Sequence, residues 1–380
     1  MLPTFWLSCH VGYACRHSGA CCASGWPLPV ETRVVPSIDA AVADGRLTTI
    51  DRSVIWLRES AEAPEDMAGT FRLVNEACVF HLPRESNAAV SAGGRHCAVH
   101  ATLGHDALPA SCQHFPRVCL VDARGVRVAL SHYCPTAAAM LVDDARPVTI
   151  VAGPPAVPGV AVPEGLDLRD ELPPRLSDRV LMDLDALTAW EAHVVHALAG
   201  PAAWPGSVDD VLARLALDAE WLMRWTPGES SLVAAVLTLA DRAAPAAAVA
   251  PPTVSAHDSY AHGRAACRGP WMWPALPDDF EALDARWVAS SWPYVAPVVR
   301  RYLAGKAFGA WVTYQAGGTR ALVSWLALAR TVLRVECVRT CAAEERPLDR
   351  ERLIAAVRQA DLLLVHYADS ALIADAIAGR

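Results

Sequence analysis

Apolar residues recur at helical spacing at Val30, Val34, Ile38 and Val42, which predicts a helix ending near Asp44 with a kink or break at Pro36. Strand-like runs follow over 71–74 and 78–82, and two more, over 117–121 and 126–131, flank Asp122-Ala123-Arg124-Gly125 as a hairpin. Between 151 and 176 the periodicity lapses into prolines, so that stretch reads as a linker or a surface wrap. Helical spacing then dominates. Ser177 is placed to cap a helix to Leu198, Ser207 with Asp210 makes a capping-box-like start for one to Trp225, and Ser230 opens another that ends before Pro245. After an irregular Ala/Pro-rich connection near 243–277, helices are expected over 278–290, 294–309, 319–343 and 349–366, with Pro297 and Gly305 as weak points. The pattern predicts an α+β chain, predominantly α. A small irregular β-containing cysteine-cluster domain spans 1–150, the Pro-rich linker 151–176, and a helical bundle domain 177–380.

Composition sharpens this picture in two places. With 53% hydrophobic and 19% charged residues over 380 positions, the chain has material for a large core, which excludes wholesale disorder and a disulfide miniprotein. Its net charge of -8 argues against nucleic acid as the main partner, and Lys306 is its only lysine. The most apolar later stretch, 321–335, carries Arg330 and Arg334 and is too short to span a bilayer, so no membrane association is expected. The start of the chain lacks a charged n-region and an apolar run before its first cysteine, which predicts a cytoplasmic, reducing location.

The twelve cysteines carry the chemistry, because nine of them fall at or before Cys134 and mix with His10, His17, His81, His96, His100 and His114. Cys9, Cys15 and the doublet Cys21-Cys22 form one block; Cys78, Cys97, Cys112 and Cys134 form another, and these eight are the candidate metal ligands. No pair has the Cys-x2-Cys spacing that lets one turn present two thiolates to a tetrahedral ion, so a zinc finger is unsupported. Neighbouring side chains of an extended doublet point apart, a divergence that a four-iron cubane tolerates better than one small ion. A site made of Cys15, Cys21, Cys22 and one later thiol would explain the two blocks and staple a loop-rich domain. The competing reading is that these thiols are simply small core hydrophobes.

Phe5 to Cys9, Cys15, Cys21-Cys22 with Gly25-Trp26, Cys78-Val79-Phe80-His81-Leu82, Cys97 with Leu103-Gly104, Cys112-Gln113-His114-Phe115-Pro116-Arg117 and Leu130 to Cys134-Pro135 stand in a telling order. Over roughly 5–140 the chain resembles the flagellin lysine N-methylase-like proteins, within the broader zinc- or iron-chelating cysteine-cluster proteins. The resemblance implies a cysteine-bound iron–sulfur cluster, 4Fe-4S, or zinc. In the methylase branch it also implies methyl transfer from S-adenosylmethionine to a lysine-bearing protein. Two departures stand out: Ala23-Ser24 separate the doublet from Gly25-Trp26 by one residue more than the family pattern, and Cys119 is an extra thiol.

No Gly-x-Gly-x-x-Gly follows a strand, since Ala92-Gly93-Gly94 and Ala316-Gly317-Gly318 fall in turns, so a site for S-adenosylmethionine would have to be unconventional. One route is an iron with an open position for the methionine moiety and an aromatic ring for the sulfonium, Trp26 being the first choice; packing against the cluster is its bland role. His81, His100, His114 and Tyr133 are weak candidates for a base, and none is named catalytic. Elsewhere His193 and His196 lie three apart on a helix without an obvious carboxylate, and Cys337 and Cys341 lie four apart on an apolar face that makes them core. His257, Tyr260, His262 and Cys267 decorate a loop before Trp271 and Trp273, read as a lid or an ordered surface loop. Trp271, Trp273, Trp287 and Trp292 form either a channel for a lysine side chain or ordinary core. The alternative function is a non-catalytic zinc- or iron-binding module whose helical half binds a partner protein.

Overall fold

A computed structural model describes residues 2–47, 56–57, 66–82, 97–160, 163–177, 180–228, 230–242, 256–267, 273–315 and 318–378. Its longest element, the helix Gly318–Glu344, is buried on most sides although it carries four arginines, Arg320, Arg330, Arg334 and Arg339. Around it pack the helices Val208–Leu222, Trp292–Ala307, Phe280–Trp287 and Arg350–Asp361. The capping box of Ser207 and Asp210 forms as the sequence predicts and starts Val208–Leu222. The chain is α+β and predominantly α, its helices outnumbering four small sheets among the described residues.

The largest sheet has the order Leu166–Asp167, Arg117–Asp122, Gly125–Leu130, Thr4–Leu7, Ile150–Ala152. Its expected hairpin closes through Asp122 opposite Gly125. Glycine is required there: φ is 121°, and an added Cβ would sit 2.4 Å from the carbonyl oxygen of Pro3. Thr4–Leu7 joins parallel to Gly125–Leu130, which carries Leu7 and Cys9 into the helical core beside Ala138 and Leu141. A separate small core, around Val30, Val34, Ile38, Phe71, Phe80 and Val99, forms beneath the three-stranded sheet of Leu28–Glu31, Met67–Phe71 and Trp56–Leu57.

Several expectations are corrected. Pro36 does not kink a helix begun at Val30; Leu28–Glu31 is a strand and Pro36 lies in the first turn of the helix Val35–Ala43, where a missing amide donor costs nothing. Ser177 ends the strand Arg175–Ser177, and Asp183 caps the helix Leu184–Ala199 instead. The stretch 151–176 is no free linker, since it supplies strand residues on both edges of the largest sheet. The connection near 243–277 contains the helix Ala256–Ala265; its part over 243–255 lies outside the described residues. The helix expected to reach His366 gives way at Leu362–Tyr367 to a wider π-type turn, and a further helix, Ser370–Ala378, follows. Among the described residues no helix is long and apolar enough to cross a membrane.

One buried carboxylate joins sheet to helices. Asp361, fully enclosed, accepts from Lys306 Nζ at 2.7 and 2.8 Å, from the Tyr302 hydroxyl at 2.8 Å and from the His132 backbone N–H at 2.5 Å. His132 Nδ1 lies 3.2 Å from the same carboxylate, and its Nε2 meets Nε2 of His10 at 3.1 Å. Gly305 makes room for this histidine pair, its hypothetical Cβ falling 3.2 Å from His132 Cε1. Burial holds His10 and His132 below the ordinary 6.5 and lowers His366 to about 4. All three are therefore neutral in the native state, while the unfolded chain takes up protons below its own value. Stability is fully present above pH 6.5 and is lost as pH falls. Urea unfolding followed by circular dichroism should show a loss of up to about 2 kcal/mol per histidine between about pH 6.5 and 5.

Candidate metal centre

Six of the eight candidate thiols line one cavity of about 420 Å3, and they reach it from a loop, a 3-10 turn, two helix starts and a short helix. Cys15 lies in the loop after Tyr13, with the His17 N–H donating to its sulfur at 3.3 Å. Cys21 and Cys22 occupy the tight 3-10 turn Ala20–Ala23, entered through Gly19 at φ 72°. Cys97 stands at the N-terminus of the helix Ala98–Leu103, Cys112 lies in the short helix Ala110–His114, and Cys134 precedes Pro135 at the start of Pro135–Asp143. Cys78, at the end of the tight hairpin Leu73–Val74/Ala77–Cys78, is buried next to Cys97 and Cys21 without reaching the cavity wall. That hairpin turns through Asn75 and Glu76 at φ 51° and 63°.

The doublet corrects the argument from divergence. In a 3-10 turn neighbouring side chains are not opposed, and the sulfurs of Cys21 and Cys22 stand 4.0 Å apart. Cys22 in turn donates its proton towards Cys97. Cys22 is pushed up by holding it, Cys21 is lowered, and Cys97 falls to about 7, first through the Cys22 hydrogen bond and then through the N–H groups of His100 and Val99 at its helix start. Burial raises Cys15 and Cys112 and pushes Cys78 up to about 12. The Cys134 sulfur lies 3.6 Å from the Tyr13 hydroxyl.

Cys9, like Cys78, does not line the cavity: it packs in the helical core, where burial pushes it up to about 12 and its charged neighbours are Asp144, Arg301 and Arg146. Cys119, the extra thiol, packs in the sheet core. Among the described residues no three Cys, His, Asp or Glu side chains already converge on one point; the sulfurs surround a space instead. No protein-family model, no curated protein and no solved structure matches this chain.

The remaining wall contains residues that the sequence pointed to weakly or not at all. His17 and His100 meet edge to face at 4.5 Å and His100 meets His105 at 5.8 Å, forming an imidazole rim with Asp106. Arg117 lies over the ring of Tyr13 at 5.3 Å and closes another side. His17 and His100 stood among the histidines mixed with the cysteines and Arg117 ended the Cys112–Arg117 run, whereas His105 and Asp106 carried no signal. His114 is occupied: Nδ1 faces the Ala110 carbonyl at 2.8 Å and Nε2 accepts from the Glu164 N–H at 3.0 Å, which leaves no nitrogen for a metal.

Trp26 does not line the cavity. Its face is stacked on His366 at 4.4 Å, and it touches Tyr133 at 5.3 Å and Phe115 at 5.9 Å, so it supports the site through Phe115, which does line it. Away from the cavity, His193 has the carboxylate that the sequence hid, Asp218 at 3.1 Å, while His196 points outward. Cys337 and Cys341 are fully buried core, as are Trp273 and Tyr260, whose hydroxyl donates to Pro274; Trp292 is largely buried in the same core. Cys267 donates to the Tyr367 carbonyl. His96, Trp271 and the glycines at 93, 94 and 317 lie outside the described residues.

In metal-free protein, alkylation of Cys97 by iodoacetamide should rise with pH to half its maximum at about 7 rather than at the ordinary 9.0, because the lowered group is thiolate above that point. Peptide mapping by mass spectrometry reads the profile.

Proposed function

We propose that this chain holds a cysteine-ligated metal cluster in the cavity of Cys15, Cys21, Cys22, Cys97, Cys112 and Cys134. The observation that carries this reading is the gathering of six thiols, drawn from positions up to 119 residues apart, around one space. Thiolate is the ligand form, and the lowering of Cys21 and Cys97 favours it. Sulfurs spread around a space suit an iron–sulfur cluster, whose irons are separated, better than one Zn2+ with four ligands about 2.3 Å away. The reading goes with a reducing, cytoplasmic setting, because thiols gathered as metal ligands persist only where they are not oxidised to disulfides. Anaerobically purified protein should be brown, with about four irons. The Cys21→Ser/Cys22→Ser pair should lose most of that metal, while Cys9→Ser and Cys119→Ser keep it; colourless, zinc-loaded protein points to the binding module instead.

A second reading rests on the aromatic and cationic part of the same wall. Tyr13, Phe115 and Arg117 offer partners to a small molecule that combines a sulfonium with a carboxylate. On this reading the protein is a lysine N-methylase: a neutral lysine amine of a protein substrate attacks the S-adenosylmethionine methyl, the C–S bond breaks, and the amine sheds its proton. The chain's own contribution is to orient the donor by Arg117 and to exclude water by Phe115, Trp26 and Tyr133. Incubation with methyl-labelled S-adenosylmethionine and flagellin should place label on lysine in the wild type and not in the Cys21→Ser/Cys22→Ser pair. Intact cluster without binding of the methyl donor by calorimetry would leave the metal-binding, partner-recognising module as the function.

A further inference from the structure

A second hollow of about 420 Å3, sharing no lining residue with the thiol cavity, opens between the loop 200–207, which follows the helix Leu184–Ala199, and the first turns of the helix Trp292–Ala307. Three arginines face it, Arg146, Arg300 and Arg301, and their charges are balanced very differently. Arg146 is closed in a two-point pair with Asp144, Nε to Oδ1 at 2.9 Å and Nη2 to Oδ2 at 2.8 Å. Arg300 donates to carbonyls only, to Trp204 at 2.6 Å, to Gly206 and to Ser207 at 3.4 Å, which fixes its plane without cancelling its charge.

Arg301 is the decisive residue. It is 8% exposed, and its Nε donates to the Leu141 carbonyl at 2.7 Å. Its two terminal amino groups have no partner among the described residues, and the side chain lines the hollow. Burial lowers both Arg300 and Arg301, and Asp210 near the first and Asp144, itself paired with Arg146, near the second give them only partial counter-charge. The nearby Cys9 thiol, pushed up to about 12, stays neutral and supplies none. A guanidinium fork with one edge anchored and the other open to a hollow matches the two-point geometry of a carboxylate or phosphate. Leu198 and Ala203, with Ala296 one turn before Arg300 on the same helix, add an apolar part to the lining.

We propose that this hollow is a binding site for a small organic anion, a carboxylate or phosphate carried on a short apolar body, with Arg301 as the recognising residue and Arg300 as the supporting charge. The oxyanion completes the donors that the fold leaves open, and the apolar body covers Ala203 and Ala296. The site is independent of the metal centre.

The test is calorimetric titration of the full chain with inorganic phosphate, phenyl phosphate and benzoate, with benzyl alcohol as the uncharged control. Saturable binding is expected for phenyl phosphate or benzoate, tighter than for inorganic phosphate, weaker at high salt, and absent for benzyl alcohol; the two aromatic anions separate phosphate from carboxylate preference. Arg301→Met should weaken binding by about tenfold or more, whereas Arg146→Ala, whose charge is already paired, should change it by less than about threefold. Because Arg301 also anchors Leu141, the cavity-filling Ala296→Phe, which keeps every arginine, should abolish binding with an unchanged circular dichroism spectrum. Absence of saturable binding by the wild type, or binding that survives both Arg301→Met and Ala296→Phe, overturns the proposal.

Discussion

The carboxylate of Asp361 is the point on which the rest of the molecule hangs. An isolated buried charge is costly by several kcal/mol, and this one is tolerable only because an ammonium, a phenol and a backbone amide are all brought to it. Those partners come from places distant in the chain: His132 follows the hairpin strand Gly125–Leu130, Tyr302 and Lys306 lie on one helix face, and Asp361 ends another helix. Satisfying one group therefore fixes sheet against helices. The carboxylate also sits just before the π-type turn that presents His366, whose Nε2 lies 2.7 Å from the Ser131 hydroxyl and whose ring stacks on Trp26. The position of Phe115 at the thiol cavity thus depends, through Trp26, on an ion pair in the core.

The thiol cavity itself is built differently. Its ligand candidates lie on a 3-10 turn, loops and helix starts, and the apolar core next to it is small. Segments of this kind have little hydrophobic burial of their own, and metal binding free energy is the usual substitute. Helix starts also lend partial positive charge, which favours thiolate at Cys97 before any metal arrives.

Much of the fold was legible from residue pattern. The hairpin around Asp122–Gly125 and the capping box at Ser207 were readable because both rest on local chemistry, a tight turn and a side chain meeting the nearest free amides. Local rules failed where two were available at once: Ser177 and Asp183 both suit a helix start, and only pairing with Val180–Leu181 drew Ser177 into a strand. The thiol grouping was legible as two blocks, but Cys9 could not be separated from the others, because a parallel strand pairing, invisible to periodicity, carries it into the helical core. His105 and the open edge of Arg301 are products of tertiary packing alone.

Lys306 deserves a last thought for what its burial removes rather than what it adds. It is the only lysine in 380 residues, it lies 8% exposed, and its ammonium is committed to Asp361. Every other cationic side chain of that length is arginine, which no amine-alkylating chemistry at neutral pH will touch. The surface therefore offers no lysine amine to acylation, to amine-directed cross-linkers or to methylation.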